Sequence, residues 1–196
     1  MPNWCRNKLI VKSNGHSNEL LRFINQGIKQ EIVEGLTQNV WRLSNYIPMP
    51  DEYMDVKLRD DQRNNLLEKY GYRDWINWAT GNWGVEWDCD NIGFMSYTDE
   101  NSYYELHFDS AWCPPIVGLI TISQMFPNLS FQIEYMEVGI QFAGVCLIDK
   151  GMILDLFGLP IFHEEIEVNN ESEEDSVTYF EKNPYSNFEL INNIKK

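Results

Sequence analysis

The order in which strand-like and helical segments follow one another constrains this chain more than any single residue does. Residues 103–109 and 129–135 alternate apolar and polar side chains with the period of a half-buried strand. Between them a proline pair opens the apolar helical segment 116–125. Before them, 84–90 and 92–97 are candidate strands that can pair. The middle of the chain therefore contains three candidate strands, a helix and another strand.

The first half of the chain predicts a matching unit. Residues 7–12 have the composition of a strand, 18–30 have the spacing of an amphipathic helix, and 40–47 are a candidate second strand. The segment 139–148 is apolar on both sides, as in a central strand. The order therefore contains the series β-α-β-β-α-β, together with one insertion and additional strands. We therefore predict an α+β fold with a ferredoxin-like, or split βαβ, core.

The same pattern suggests where the domain begins and ends. We expect residues 1–151 to form the ferredoxin-like domain, with a helical insertion at about 51–82, and 152–196 to form an acidic, partly flexible extension. Segment 163–175 holds seven acidic residues and no basic one, and 177–180 is a candidate edge strand. One sheet–helix core is predicted to contain the following apolar residues: Leu9, Val11, Leu106, Phe108, Phe131, Ile133 and Phe142.

Negative charge limits what the protein can bind. The formal net charge is -15, and residues 74–149 contain 11 acidic residues but no Lys or Arg. Binding to nucleic acid through its phosphates needs clustered basic residues, so we expect no direct nucleic-acid contact. The acidic surface either keeps the protein in solution or docks on a basic partner, for example as a nucleic-acid mimic. The candidate docking carboxylates are Glu86, Asp88, Asp90, Asp99 and Glu100.

Four tryptophans lie close together in the sequence. Trp75, Trp78, Trp83 and Trp87 fall within 13 residues. Such a cluster either seals the core beneath the insertion or forms an exposed aromatic face for a partner or a planar ligand. Tryptophan is enriched among the residues that dominate binding energy at interfaces. We therefore include all four among the candidate partner-binding residues.

No pattern of catalytic or metal-binding residues stands out. Phosphate-binding glycine loops are absent from the sequence, and Asp88, Cys89 and Asp90 would alternate sides of a strand and could not converge on a metal. Cys113 precedes a helix start, but a buried structural thiol is the simpler interpretation. We assign no catalytic residue, metal or cofactor. A hydrolase with a carboxylate site stays open, because 30 acidic residues offer many candidates.

The cysteines and the apolar segments bear on location. The four cysteines are widely spaced, the N-terminus shows no signal-peptide pattern, and no apolar run approaches the roughly 20 residues that cross a bilayer. We expect a cytoplasmic protein with reduced thiols and no membrane contact.

Five segments together resemble a known family. They are MPNWCRNKL at 1–9, IPMP at 47–50, NWGVEWD at 82–88, AWCPP at 111–115 and YMEVGIQFAG at 135–144. In this order they are similar to the YubB-like ferredoxin-like domain family of phage and conjugative-plasmid proteins. The chain departs from that family at Glu86, where a basic residue is common, and at Cys113, where a serine is common. The resemblance implies the fold and a mobile-element setting, and it implies no catalytic residues.

These inferences lead to one functional hypothesis and two alternatives. The leading hypothesis is a non-enzymatic protein in the host cytoplasm that inhibits a defence system, such as a CRISPR nuclease. It would occupy a basic, nucleic-acid-binding surface of a host protein. The first alternative is a protein that binds or sequesters a nucleotide on its Trp-rich face, with Arg6, Lys8 and Arg42 as the candidate phosphate ligands. The second is the carboxylate hydrolase.

Overall fold

The computed structural model describes residues 3–13, 15, 17–33, 35–54, 57–98 and 103–159. The eight strands in these ranges are β1 Trp4–Ser13, β2 Ile28–Val33, β3 Leu36–Trp41, β4 Asp90–Thr98, β5 Tyr103–Ala111, β6 Leu129–Glu137, β7 Phe142–Asp149 and β8 Met152–Leu159. The α-helices are α1 Ser17–Gly27, α2 Asp60–Tyr70, α3 Trp75–Asn82 and α4 Ile116–Met125. The acidic segment 163–175, the candidate strand 177–180, Asp99 and Glu100 lie outside the described residues.

Six strands form one sheet in which all neighbouring strands are antiparallel. Its order is β4-β5-β1-β6-β7-β8. Strand β5 lies between β1 and β4, and β1 lies between β5 and β6, as the two interleaved βαβ units of a ferredoxin-like core require. Strands β7 and β8 extend this sheet beyond β6. The predicted α+β, ferredoxin-like architecture is therefore confirmed.

The core follows from the alternation of the central strands. Leu9 of β1 lies opposite Leu106 of β5 and Ile133 of β6, and all three side chains are buried. Helices α1 and α4 add Phe23 and Ile122 to the same core. Of the seven predicted core residues, six belong to this cluster. Phe142 does not belong to it. It is the first residue of β7, where its side chain is half-buried and its ring lies 6.0 Å from that of Tyr135.

Strands β2 and β3 form a separate hairpin where the end of helix 18–30 and the strand 40–47 were predicted. The helix predicted to reach residue 30 ends at Gly27, and the chain continues into β2 and β3. Gly27 fits this close turn because a Cβ there would collide with the Tyr46 hydroxyl and the Trp41 indole. The strand predicted over 40–47 is also wrong. Strand β3 ends at Trp41, and a 3₁₀ turn at Leu43–Asn45 follows it.

Residues 84–89 form a loop where a strand was predicted. Residues 84–87 are bends, 88–89 have no regular structure, and β4 begins only at Asp90. The physical reason lies at Asp88, whose carboxylate accepts hydrogen bonds from backbone N–H groups of the 3₁₀ turn and of Cys89. These bonds hold the segment as a loop rather than a strand. At the other end of the chain, Met152–Leu159, which the sequence assigned to the extension, pairs with β7.

The predicted insertion contains the short helices α2 and α3. Asp74 caps α3 by accepting a hydrogen bond from the Asn77 amide at 2.8 Å. At the other end of α3, the Trp83 carbonyl accepts a hydrogen bond of 3.0 Å from the Gly118 amide of α4. This bond fixes the loop after α3 against the ferredoxin-like core. None of the helices in the described ranges has the length and apolar character that a membrane span requires.

Candidate functional site

A cleft opens where the loop after α3 meets two 3₁₀ turns that precede α2, Leu43–Asn45 and Asp51–Tyr53. Its volume is about 470 Å³. Ten residues line this aromatic cleft: Ser44, Pro48, Met49, Tyr53, Met54, Trp75, Trp83, Glu86, Trp87 and Asp88. Clefts of this size with mainly apolar walls are typical of binding sites.

The floor of the aromatic cleft is built from rings whose polar atoms are already paired. Trp83 is buried, and its indole N–H donates to the Ile47 carbonyl at 2.9 Å. The Trp83 ring packs edge-on against that of Trp78, with 5.3 Å between centroids. Tyr53 is also buried, and its hydroxyl donates to the Tyr72 carbonyl at 2.9 Å. An occupant therefore meets mainly the apolar faces of these rings.

Asp88 holds the cleft wall in place. Its carboxylate accepts hydrogen bonds from the backbone N–H groups of Leu43 at 2.7 Å, Ser44 at 3.0 Å and Cys89 at 2.8 Å. Bonds from backbone donors to an ionised carboxylate are among the stronger ones in proteins. Asp88 thus joins the 3₁₀ turn to the loop before β4, and its oxygens are largely occupied by this structural role.

Glu86 is the cleft carboxylate with unused acceptor capacity. It is half-buried, and within the described part of the chain it accepts no hydrogen bond and forms no ion pair. None of the ten lining residues is basic. Its negative charge therefore has no counter-charge inside the aromatic cleft, although apolar surroundings make an unpaired charge costly.

The rim of the aromatic cleft is apolar and open to solvent. Trp87 is 39% exposed and Met54 is 64% exposed, while Trp75 is half-buried. Exposed large apolar side chains that border a cleft are typical of surfaces that another molecule covers.

The structure brings together five of the nine predicted partner-binding residues: Trp75, Trp83, Glu86, Trp87 and Asp88. Trp78 is buried in the core and does not line the cleft, so for this residue the core-sealing interpretation fits the structure. Asp90 is exposed outside the lining, with a carboxylate oxygen 4.0 Å from a guanidinium nitrogen of Arg42. Both interpretations of the tryptophans hold in part, because Trp78 and Trp83 seal the core while Trp87 stays exposed.

Sequence reasoning missed the opposite wall of the cleft. Ser44, Met49, Tyr53 and Met54 lie 29 or more positions before Trp83 in the sequence. The only signal was the segment IPMP at 47–50, which entered only as part of the family resemblance. Met49, between two prolines and outside regular secondary structure, lines the cleft.

Arg42 and Lys8, which were proposed as phosphate ligands, make ion pairs. Arg42 donates to Glu31 at 3.0 Å and to the Cys89 carbonyl. Lys8 lies 3.7 Å from carboxylate oxygens of Glu105 and Glu134 on the sheet. Neither lines the aromatic cleft, so neither contributes a phosphate ligand there.

Cys113 has the environment of a structural thiol. Its sulfur donates to the Gly84 carbonyl at 3.3 Å. Burial raises the pKa of the Cys113 thiol, and the negative charge of Glu86 raises it further. The thiol is therefore protonated at neutral pH and is a poor nucleophile. All four cysteines are free thiols, and the described ranges contain no group of three or more His, Cys, Asp or Glu side chains that could hold a metal.

Comparison with known proteins gives a family and one solved relative. Residues 83–181 match the family model described as the ferredoxin-like domain in Api92-like protein. The crystal structure of protein api92 from Yersinia pseudotuberculosis aligns with 13% sequence identity and a TM-score of 0.47, over 81% of this chain and 98% of that one. No curated protein matches this sequence. Because the family model spans half of the sequence, the chain belongs to the Api92-like family that carries this ferredoxin-like domain.

Proposed function

We propose that this protein is a non-enzymatic binding protein that docks its aromatic cleft on a basic surface of another protein. The observation that supports this proposal most is the combination in one cleft of aromatic walls, an unpaired carboxylate at Glu86 and no basic lining residue. A basic partner supplies the missing counter-charge, and the apolar rim supplies the buried area that holds it.

The charge of the whole chain favours the same kind of partner. The net charge is -15, and the stretch 74–149, which includes half of the cleft, has no Lys or Arg. Such a charge distribution accelerates encounter with a basic surface and repels acidic ones. Tryptophans beside a charged group are also the residues that dominate binding energy in many interfaces.

The biological setting is part of the proposal. The likeness to YubB-like proteins suggests a phage or plasmid protein that acts in the host cytoplasm. We propose that its partner is a host defence protein with a nucleic-acid-binding surface, for example a CRISPR nuclease. Occupying that surface would exclude the nucleic acid by charge and by volume, without any chemical step.

The two alternatives have less support. A nucleotide needs donors for its phosphates, and the lining offers Glu86 and Asp88, which would repel them. A hydrolase needs carboxylates that are free to move protons, whereas Asp88 is bound by three backbone N–H groups. The cleft therefore favours a cationic and apolar occupant.

Affinity capture with a matched control tests the proposal. Immobilised wild-type protein, Trp87→Ala and Trp4→Ala are each exposed to a bacterial host lysate, and the retained proteins are identified by mass spectrometry. Trp4 is 37% exposed and lies outside the cleft, so its loss removes a similar surface. We expect a basic protein to be retained by the wild type and by Trp4→Ala, lost with Trp87→Ala and released by salt. Equal retention by Trp87→Ala would contradict the proposal.

A further inference from the structure

We propose, resting on the function above, that the aromatic cleft receives one arginine side chain of the basic partner. The walls of the cleft are apolar, whereas the Glu86 carboxylate in it is negatively charged. These walls are rings and thioethers, from Trp75, Trp83, Trp87, Met49 and Met54. An occupant that satisfies both these walls and Glu86 has an apolar stem and a positively charged head. Among protein side chains, only arginine and lysine have this form.

The polar atoms of the cleft select between these two side chains. The Trp83 indole N–H and the Tyr53 hydroxyl donate to backbone carbonyls, and the Asp88 oxygens accept three backbone N–H groups. Glu86 is thus the main acceptor open to an occupant. A lysine ammonium is strongly hydrated and has three donors in a tetrahedral arrangement. In the cleft it would lose most of its hydration and gain only one carboxylate as an acceptor, which is unfavourable.

An arginine head suits this arrangement better. The guanidinium is planar and more weakly hydrated, it stacks on aromatic faces, and its paired N–H groups match the two oxygens of one carboxylate. It can therefore pair in its plane with Glu86 while its faces contact indole rings. The Asp88 carboxylate adds negative potential to the same site. Because it already accepts backbone hydrogen bonds, it does not compete with Glu86 for the guanidinium N–H groups.

The rim indicates that the arginine belongs to a larger molecule. A volume of about 470 Å³ exceeds what one side chain fills, and Trp87 and Met54 stay exposed around the opening. A flanking stretch of the partner covers these rim residues and excludes water from the ion pair, as the surroundings of dominant interface residues do.

Three short peptides test the inference on the intact protein. They are acetyl-Gly-Arg-Gly-amide and the same peptide with lysine or with citrulline, which keeps the shape of arginine but is neutral. Binding is followed by the NMR shifts of the Trp75 and Trp87 indole N–H groups. We expect saturable binding of the arginine peptide, binding of the lysine peptide that is weaker by about threefold or more, and no measurable binding of the citrulline peptide.

Two variants complete the test. Glu86→Gln should weaken binding of the arginine peptide by about three- to tenfold, since it removes the charge of a half-buried partner. Glu68→Gln is the matched control, because it changes the net charge equally at an exposed site on α2, and it should bind like the wild type. Equal binding of the three peptides, or equal effects of the two variants, would overturn the inference.

The inference and the proposed function can fail separately. If a captured partner is lost with Trp87→Ala but binds as well after each of its interface arginines is changed to lysine, the arginine inference is wrong and the function stands. If the arginine peptide binds at Glu86 but no cleft-dependent partner is captured, the proposed function is wrong instead.

Discussion

At the scale of single residues, two carboxylates two positions apart have different roles. Asp88 is fixed by three backbone N–H groups, while Glu86 has no partner in the described ranges. The sequence predicted a strand over 84–90, and in a strand these two residues would share a face. The loop that forms instead could not be predicted, since Asp88 binds donors of a turn 44 or 45 positions earlier in the chain.

Substitution of these two residues separates structure from binding. Asp88→Asn should reduce the free energy of unfolding by about 1–3 kcal/mol, because the amide offers one acceptor oxygen and no charge to three buried donors. Glu86→Gln should change that free energy by no more than about 0.5 kcal/mol. Urea unfolding followed by fluorescence measures both. Equal effects of the two substitutions would show that Asp88 does not hold the turn.

At the scale of elements, the amphipathic pattern predicted the central strands of the sheet and helix α4. It failed where a tertiary contact determines the local secondary structure. Helix α4 and the centres of β5 and β6 match their predicted ranges, because each buries one face against the core. Residues 28–33 fit a helical period, with Ile28 and Ile32 four positions apart, and Gln30 interrupts the alternation expected of a half-buried strand. The close packing of Gly27 against Tyr46 decides for the strand, and a sequence does not reveal such a contact.

The cap of α3 gives a prediction at this scale. Asp74→Ala should destabilise the protein by about 0.5–2 kcal/mol, because it leaves the Asn77 amide without its acceptor. The control is Asp60→Ala in the first turn of α2, where Gln62 rather than Asp60 accepts the capping hydrogen bond from the Arg59 amide, so a smaller loss is expected. Thermal unfolding of both variants is the measurement. A larger loss for Asp60→Ala would mean that α3 is not anchored by its cap.

At the scale of the whole molecule, the fold was predictable and the cleft was only half predictable. The order and alternation of segments indicated the sheet, and the tryptophan spacing indicated one cleft wall. The other wall comes from Ser44, Met49 and Tyr53, which approach Trp83 only after the chain has folded. The net charge of -15 favours a basic partner for the proposed function, but it does not show which carboxylates line the cleft.

The shared core yields a prediction for overall stability. Phe131→Ala should lower the free energy of unfolding by about 3–5 kcal/mol, since its ring is buried 5.6 Å from that of Phe23, across the sheet–helix interface. Phe142→Ala removes the same atoms from a half-buried position and should cost less. Chemical denaturation of both variants measures which loss of unfolding free energy is larger. A larger loss for Phe142→Ala would show that the core lies on the other face of the sheet.

The kinetics of partner binding test the central claim most directly. Association and dissociation rates of the captured partner are measured for wild type, Trp87→Ala and Trp4→Ala at two salt concentrations. The screening length is about 8 Å at physiological salt, so the wild-type association rate should fall as salt rises. Trp87→Ala should raise the dissociation rate about tenfold or more, and Trp4→Ala should not. Dissociation rates that are the same for all three proteins, with association insensitive to salt, would contradict docking through the aromatic cleft.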